Sequence, residues 1–455
     1  MPRDAAPSRR RAASLTMLSS YFTTAFGVIT GIVLVPVYLR HFSMATYGAW
    51  LASGGLVTML GLVDGGLSIV IGQRLSHSVG TTNTHALARV AGTGWAVISG
   101  ACGLLLLLGL GVAPHVPAWI HAPAADHGAL TEAFVLAAIG TACALAQTNL
   151  LSYAHAWQTT GVVATTNLIT LTACVVAALG ALANGAGVVA LGFATAVRGA
   201  LGLVIAVVFV GHDWRRRGLP PPHLDRAELH TQLRLTAPVF VGRFGGVALG
   251  NGESALVAAF INPEAAAVLA LTGKVYGVCQ SLINPIAGSA FLPLAHLAGS
   301  SSKGRVGVVV RELFALSGVL TAWVCAMALV GNAPFMTLWV GPEAYGGFWL
   351  SALLCVNTVA ITRLNLLGMV LPGLGVLGAP SLAALAELGI RLGLLGLLLP
   401  ALGMVGVPLA TLLSMLCTHA WFLPWLLARW LQQPLTAVLR MTAAATPSLL
   451  LCLGV

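Results

Sequence analysis

Nine charged side chains sit inside long apolar stretches of this chain: Arg198, Arg243, Lys274, Arg363, Arg391, Arg440, Asp64, Glu253 and Glu387. A tenth, Glu132, stands near the end of another. A charge in hydrocarbon is costly without a partner or a water-filled cavity, so each is a functional-site candidate. Each also has a plainer explanation. Glu387 and Arg391 are four residues apart, the spacing at which two side chains meet on one helix face. Arg440 lies close enough to the end of its stretch to extend its head group into the interface. Asp64 has Ser20 and Tyr21 at a matching depth as hydrogen-bond partners. Glu253 and Lys274 stand at similar depths on either side of a turn, so they could pair and leave Arg243 unmatched.

Taken together, positive charge exceeds negative inside the apolar stretches, which suits a cavity that holds an anion in passage. Arginine is the natural partner of a diphosphate, because its planar fork meets phosphate oxygens bidentately. Arg243, Lys274, Arg198 and Arg363 are therefore the candidate ligands of an anionic head group. Glu253 and Asp64 are the candidates for ion coupling or gating. No catalytic or metal-ligating set accompanies them: the sequence holds no GxxxxGK[ST] loop, HExxH, GxSxG or His/Cys cluster with metal spacing. The outer loops are too short for a catalytic domain. An enzyme is not expected, and no cofactor is implied.

The elements that must carry these residues are membrane helices. Of 455 residues, 58% are hydrophobic and 7% charged, with mean hydropathy +0.93; a soluble domain carries about 25% charged residues. Apolar runs long enough to cross a ~30 Å hydrocarbon core fall at 15–38, 47–72, 90–113, 130–152, 159–183 and 186–211. After a break they resume at 235–260, 265–292, 308–331, 349–372, 379–400 and 404–427. The stretch 435–455 is a candidate thirteenth span, partial or complete. The expected fold is an all-α polytopic membrane protein with two six-helix lobes in a pseudo-twofold arrangement. The expected divisions are a cytoplasmic basic tail (1–14), an N-terminal lobe (15–211), a cytoplasmic basic linker (212–234), a C-terminal lobe (235–427) and a tail (428–455).

The net charge of +10, from 22 Lys+Arg against 12 Asp+Glu, would suggest nucleic acid in a soluble protein. Here it follows the positive-inside rule, and no nucleic-acid partner is expected. With the N-terminus inside, inner loops collect Arg9, Arg10, Arg11, Arg74, Arg89, Arg215, Arg216 and Arg217, while the outer ones hold Arg40, Asp126, Glu264 and Glu343. MPRDAAPSRRR precedes an apolar run too long for a signal-peptide core, so it reads as a cytoplasmic tail. The eight cysteines lie in apolar segments without CxxC spacing and read as small packing residues.

The two halves repeat faintly at an offset of 219. Gly27-Val28-Ile29-Thr30-Gly31 matches Gly246-Val247-Ala248-Leu249-Gly250, and the turn His41-Phe42-Ser43-Met44-Ala45 falls opposite Phe260-Ile261-Asn262-Pro263-Glu264. Parallel repeats around a basic linker are a transporter signature, with the substrate path between the halves.

Residues 15–75 resemble the opening hairpin of polysaccharide-transporter flippases of the O-antigen type, in the multidrug/oligosaccharidyl-lipid/polysaccharide flippase superfamily. The likeness rests on Phe42-Ser43-Met44-Ala45-Thr46-Tyr47-Gly48-Ala49-Trp50, on Leu62-Val63-Asp64-Gly65-Gly66-Leu67, and on two six-span lobes around a basic linker. The turn Asn262-Pro263-Glu264-Ala265-Ala266-Ala267 departs from the pattern by lacking Tyr/Leu-Gly. The resemblance implies export of an undecaprenyl-diphosphate-linked oligosaccharide across the bacterial cytoplasmic (inner) membrane by alternating access. Its implied partners are that lipid-linked glycan, membrane lipids, H⁺ or Na⁺ as coupling ion, and polysaccharide-assembly proteins. The rival readings are a multidrug antiporter and a non-transport component of glycan assembly: polymerase, ligase or scaffold. Many drug antiporters use an acid in the first span, and span 15–38 has none.

Overall fold

In the computed structural model, Ser43 and Asn262 each open a helix in the same way. Ser43 Oγ accepts the N–H of Thr46 at 3.1 Å, and Asn262 Oδ1 accepts that of Ala265 at 2.7 Å. Each thereby satisfies one of the backbone donors that a helix start leaves free. The two caps are 219 residues apart, the offset of the repeat. The structure describes residues 9–284, 303–376 and 378–442; the side chains of residues 9–21, Arg243 and several other helical positions lie outside that description. Among the described residues there is no strand, and the chain divides into two compact units, Met1–Arg243 and Phe244–Val455.

Unit 1 comprises α1 (Arg9–His41), α2 (Met44–Leu60), α3 (Leu67–Gly80), α4 (Thr84–Val112), α5 (His127–Ala156), α6 (Thr160–Ala183), α7 (Val189–Arg216) and most of α8 (Arg226–Asn251). One apolar span is broken between α2 and α3. A 3₁₀ turn, Gly61–Asp64, leads into Gly65 and Gly66 at φ 55° and 89°. Consecutive left-handed residues are a conformation that glycine adopts cheaply and other residues do not. The pairing of α5 with α7 fixes the core of the unit. A Cβ on Gly199 would stand 2.9 Å from Gly140 Cα, and one on Gly140 would stand 2.6 Å from the Thr195 carbonyl carbon. The two backbones touch where only small residues allow it.

Residues 212–234, expected as a linker, are fastened to unit 1. Arg74 donates from Nε and Nη2 to the two carboxylate oxygens of Glu228, both at 2.6 Å. The buried Gln232 donates to Val90 O at 3.2 Å and the Asp225 N–H donates to Thr93 Oγ1 at 3.0 Å, while within the segment Trp214 Nε1 donates to Pro220 O at 2.9 Å. Asp225 also caps α8 through the Glu228 N–H at 2.7 Å.

Unit 2 contains α9 (Glu253–Phe260), α10 (Pro263–Thr272), α11 (Lys274–Asn284), α12 (Lys303–Trp339), α13 (Phe348–Gly373), α14 (Gly378–Leu402), α15 (Gly406–Cys417), α16 (His419–Leu431) and α17 (Leu435–Thr442). Phe314, Leu366, Leu367, Val370, Leu423 and Leu427 form its main apolar cluster, joining α12, α13 and α16. The chain bends by 46° between α10 and α11. Asn332 Nδ2 meets the carbonyl freed there, Thr272 O, at 3.1 Å, and donates to Ser351 Oγ at 2.8 Å. The break is therefore hydrogen-bonded rather than frayed.

Among the described residues, eight helices are long and apolar enough to cross a membrane, or nine counting the bent pair. The protein is an all-α, multi-pass membrane protein, as the sequence implies. Residues 285–292 of the eighth expected span and 443–455 of the thirteenth lie outside the described residues.

Candidate functional site

A cavity of about 930 Å³ opens within unit 1, lined by α3, α5, α6 and the turn that precedes α3. Its polar groups come from helical spacing. On α5, Thr141, Thr148, Ser152 and His155 recur at steps of seven, four and three, so they share a face; α3 supplies Ser68 and Ser76 four and twelve residues after Asp64. Ser76, Thr141, Thr148 and Ser152 donate their hydroxyl protons to carbonyls of their own helices at 2.6–2.9 Å. Their free lone pairs therefore face outward as acceptors. The amides of Gln73, Gln147 and Asn167 and the imidazole of His155 make no hydrogen bond among the described residues.

Asp64 is the only carboxylate among the described residues of that lining, and it is buried at 6% exposure. It accepts the Ser68 hydroxyl at 2.7 Å, the Ser68 N–H at 3.1 Å and the Gly66 N–H at 3.3 Å. A carboxylate at a helix start meets both free N–H groups and the positive end of the dipole. Asp64 thus starts α3 and bounds the cavity at once. The side chains of Ser20 and Tyr21, its expected partners, lie outside the described residues.

Unit 2 carries a second cluster of charge. Glu253, at the start of α9, is paired with Arg391 of α14 and accepts the Thr411 hydroxyl of α15 at 3.3 Å. Glu387, one turn earlier on α14 and 4% exposed, is paired with His419, at the joint of α15 and α16. The expected Glu387–Arg391 and Glu253–Lys274 pairs are not the ones formed. Each acid instead reaches across to another helix. An i,i+4 spacing permits a contact, but a partner on a facing helix binds α14 into the bundle and satisfies its buried Glu387 and Arg391.

Of the four expected head-group ligands, Arg198 is exposed on α7 in unit 1, and Arg363 is half-buried on α13 in unit 2. Lys274 is half-buried at the bend that follows Gly273, with no ion pair among the described residues. Arg243 belongs to α8 and its side chain is outside the described residues. Of the three whose side chains are described, none lines the cavity in unit 1.

The residues that sequence reasoning passed over are neutral. Gln147 is 8% exposed, and a Cβ on Gly202 of α7 would stand 2.5 Å from its amide carbon. A search for charges misses such a residue. The stripe at 141, 148, 152 and 155 in an otherwise apolar span is the signal that was available.

Comparison with known proteins accounts for this architecture. Residues 13–296, more than half of the chain, match the family model described as polysaccharide biosynthesis protein. The chain belongs to the polysaccharide biosynthesis protein family. Solved structures share the fold of this family member from end to end. An inward-facing multidrug resistance MATE family transporter of the MOP superfamily aligns at TM-score 0.65 and 13% identity, over 91% of this chain and 95% of that one. The eukaryotic MATE transporter AtDTX14 aligns at 0.66 and 14%, over 97% of each chain. The bent form of the Vibrio cholerae MATE transporter VcmN aligns at 0.60 and 14%, over 95% and 99%. At these identities the likeness is one of fold, a two-lobed transporter fold of about twelve helices. No curated protein matches the sequence.

Proposed function

We propose that this protein flips an undecaprenyl-diphosphate-linked oligosaccharide from the inner to the outer leaflet of the bacterial cytoplasmic membrane, with its N-terminus inside. Membership of the polysaccharide biosynthesis family and a transporter fold support the reading. The single observation that carries it is the lining of the cavity in unit 1. That lining is rich in hydroxyls and amides, and among the described residues its one carboxylate is hydrogen-bonded by Ser68 and Gly66. A glycan wants many hydrogen-bond donors and acceptors, and the hydroxyls and amides of α3, α5 and α6 supply them.

The diphosphate would be met by the basic residues Arg198, Arg243, Lys274 and Arg363, with the lipid tail remaining in the bilayer. A membrane potential negative inside favours outward movement of an anion; two charges crossing fully gain about 4.6 kcal/mol per 100 mV. H⁺ or Na⁺ then remains the candidate for resetting the empty transporter. Glu253 and Asp64, the sequence candidates for that step, are held by Arg391 and by the start of α3 respectively.

A second reading, drug extrusion by antiport, draws on the multidrug transporters among the structural neighbours and on Asp64 in the cavity wall. One experiment separates the two. Deletion is expected to accumulate lipid-linked oligosaccharide on the inner leaflet, with the glycan identified by mass and drug susceptibility unchanged. Normal glycan display with heightened susceptibility to cationic drugs would overturn the flippase reading.

A further inference from the structure

We propose that the cavity of unit 1 is a subsite for the neutral sugar rings of the cargo, in which Gln147 reads the sugar and Gly202 positions its amide. The inference rests on the flippase reading and goes beyond it, because it assigns sugar recognition to residues apart from the basic candidates for the diphosphate.

The charge of the lining decides the chemical class. Among the described residues it has no lysine or arginine to hold a phosphate, and its one acid, Asp64, accepts hydrogen bonds from Ser68 and Gly66. What remains is bifunctional. Gln73, Gln147, Asn167 and His155 each offer a donor and an acceptor, and all four lack partners among the described residues. Adjacent hydroxyls of a sugar ring each donate and accept, so a carboxamide meets a vicinal pair with both of its ends. The serine and threonine hydroxyls of α5 add acceptors for the remaining sugar hydroxyls. Gln147, at 8% exposure, is the most buried of the four. Gly202 makes room for that amide: an added Cβ would overlap Gln147 Oε1 and stand 2.5 Å from its amide carbon, so the oxygen end rests against α7 and a side chain at 202 would displace it. The cavity volume, near the upper end of the roughly 300–1,000 Å³ of small-molecule sites, leaves space for more than one ring.

The test uses the full chain in nanodiscs, with two probes: the free glycan released by mild acid from the host's lipid-linked oligosaccharide, and tetraphenylphosphonium as an organic cation. Saturation-transfer NMR is expected to show contacts to the ring protons of the glycan. Gln147→Leu should weaken binding about tenfold, the effect of leaving one sugar hydroxyl pair unmatched. Gly202→Ala should weaken it in the same sense, and Asn167→Ala supplies an independent variant if either fails to fold. Gly211→Ala, on the helix of Gly202 but with open space around its Cβ, should leave glycan binding unchanged. Glycan binding insensitive to Gln147→Leu and Asn167→Ala would overturn the subsite, as would cation binding that these variants abolish. The two readings fail separately. If deletion causes no accumulation of lipid-linked glycan, flipping falls whatever the NMR gives; if accumulation occurs and the variants bind glycan normally, only the subsite falls.

Discussion

Glu387 is paired with His419 on another helix, although Arg391 stands one turn away on its own. Arg391 is paired in turn with Glu253. The two pairs tie α14 to α9 on one side and to the joint of α15 and α16 on the other. Removing the imidazole leaves a carboxylate that is 4% exposed without its partner, and stripping one member from a buried pair costs about 3–5 kcal/mol. His419→Ala should therefore lower the thermal midpoint in detergent well below that of Glu387→Gln, whose neutral amide can still bond to His419. Equal losses in the two variants would mean that the pair does not hold α14.

The Glu253–Arg391 pair makes a coupled prediction. The Arg391 side chain is 9% exposed and its Nε has no acceptor among the described residues, so the Glu253 carboxylate is its principal partner. Arg391→Gln and Glu253→Gln should each destabilise the protein, by about 2–4 kcal/mol for the former and less for the latter, whose side chain is 29% exposed. The double variant should cost less than their sum, because no unpaired charge remains. Strict additivity in denaturation midpoints would show the two residues to be energetically independent.

Arg74 and Glu228 fasten the 212–234 segment at two atoms each, which lysine cannot reproduce with a single ammonium. Arg74→Lys is expected to cost about 1 kcal/mol and Arg74→Ala about 2 kcal/mol, after allowing for the partial exposure of Arg74. Hydrogen exchange should localise the loss, with amides of 225–236 exchanging faster in Arg74→Ala and those of α5 unchanged. Uniform acceleration across unit 1 would point to global destabilisation instead.

Much of this architecture was legible in the sequence because its causes are local. Apolar length fixes a spanning helix, and the caps Ser43 and Asn262 were visible as a repeated turn. The buried charges could be counted, but their partners could not be named. Glu387 and Arg391 satisfy the spacing rule for one helix, and only the approach of α9 and α16 determines that each pairs elsewhere. The segment 212–234 reads as a linker from its prolines and arginines. Its attachment depends on single side chains, Glu228 and Gln232, whose burial comes from tertiary structure. The cavity was hardest to see, since amides and hydroxyls in an apolar helix carry no charge to mark them.

Asp64 bears on both stability and transport, and substitutions can separate the two. Asp64→Asn keeps an acceptor for the Ser68 N–H and should cost about 1 kcal/mol, whereas Asp64→Ala removes the cap and should cost about 2 kcal/mol. If its work is to start α3, complementation of a deletion strain should follow the thermal midpoint, with Asp64→Asn largely active and Asp64→Ala impaired. If the carboxylate instead carries a coupling ion, Asp64→Asn should abolish flipping at nearly full stability.

Gly199 tests the frame that positions Gln147. A side chain there meets the backbone of Gly140, which cannot yield as a flexible side chain would. Gly199→Ala should force α5 and α7 apart at a cost of about 1–3 kcal/mol, and Gly199→Leu at a greater one. Gly211, on the same helix with open space around its Cβ, serves as the control. Gly211→Ala should be neutral or slightly stabilising, as glycine gives way to a better helix former. If Gly199→Ala and Gly211→Ala gave the same midpoint and the same transport, the close approach of α5 and α7 would not be what holds Gln147 against the cavity.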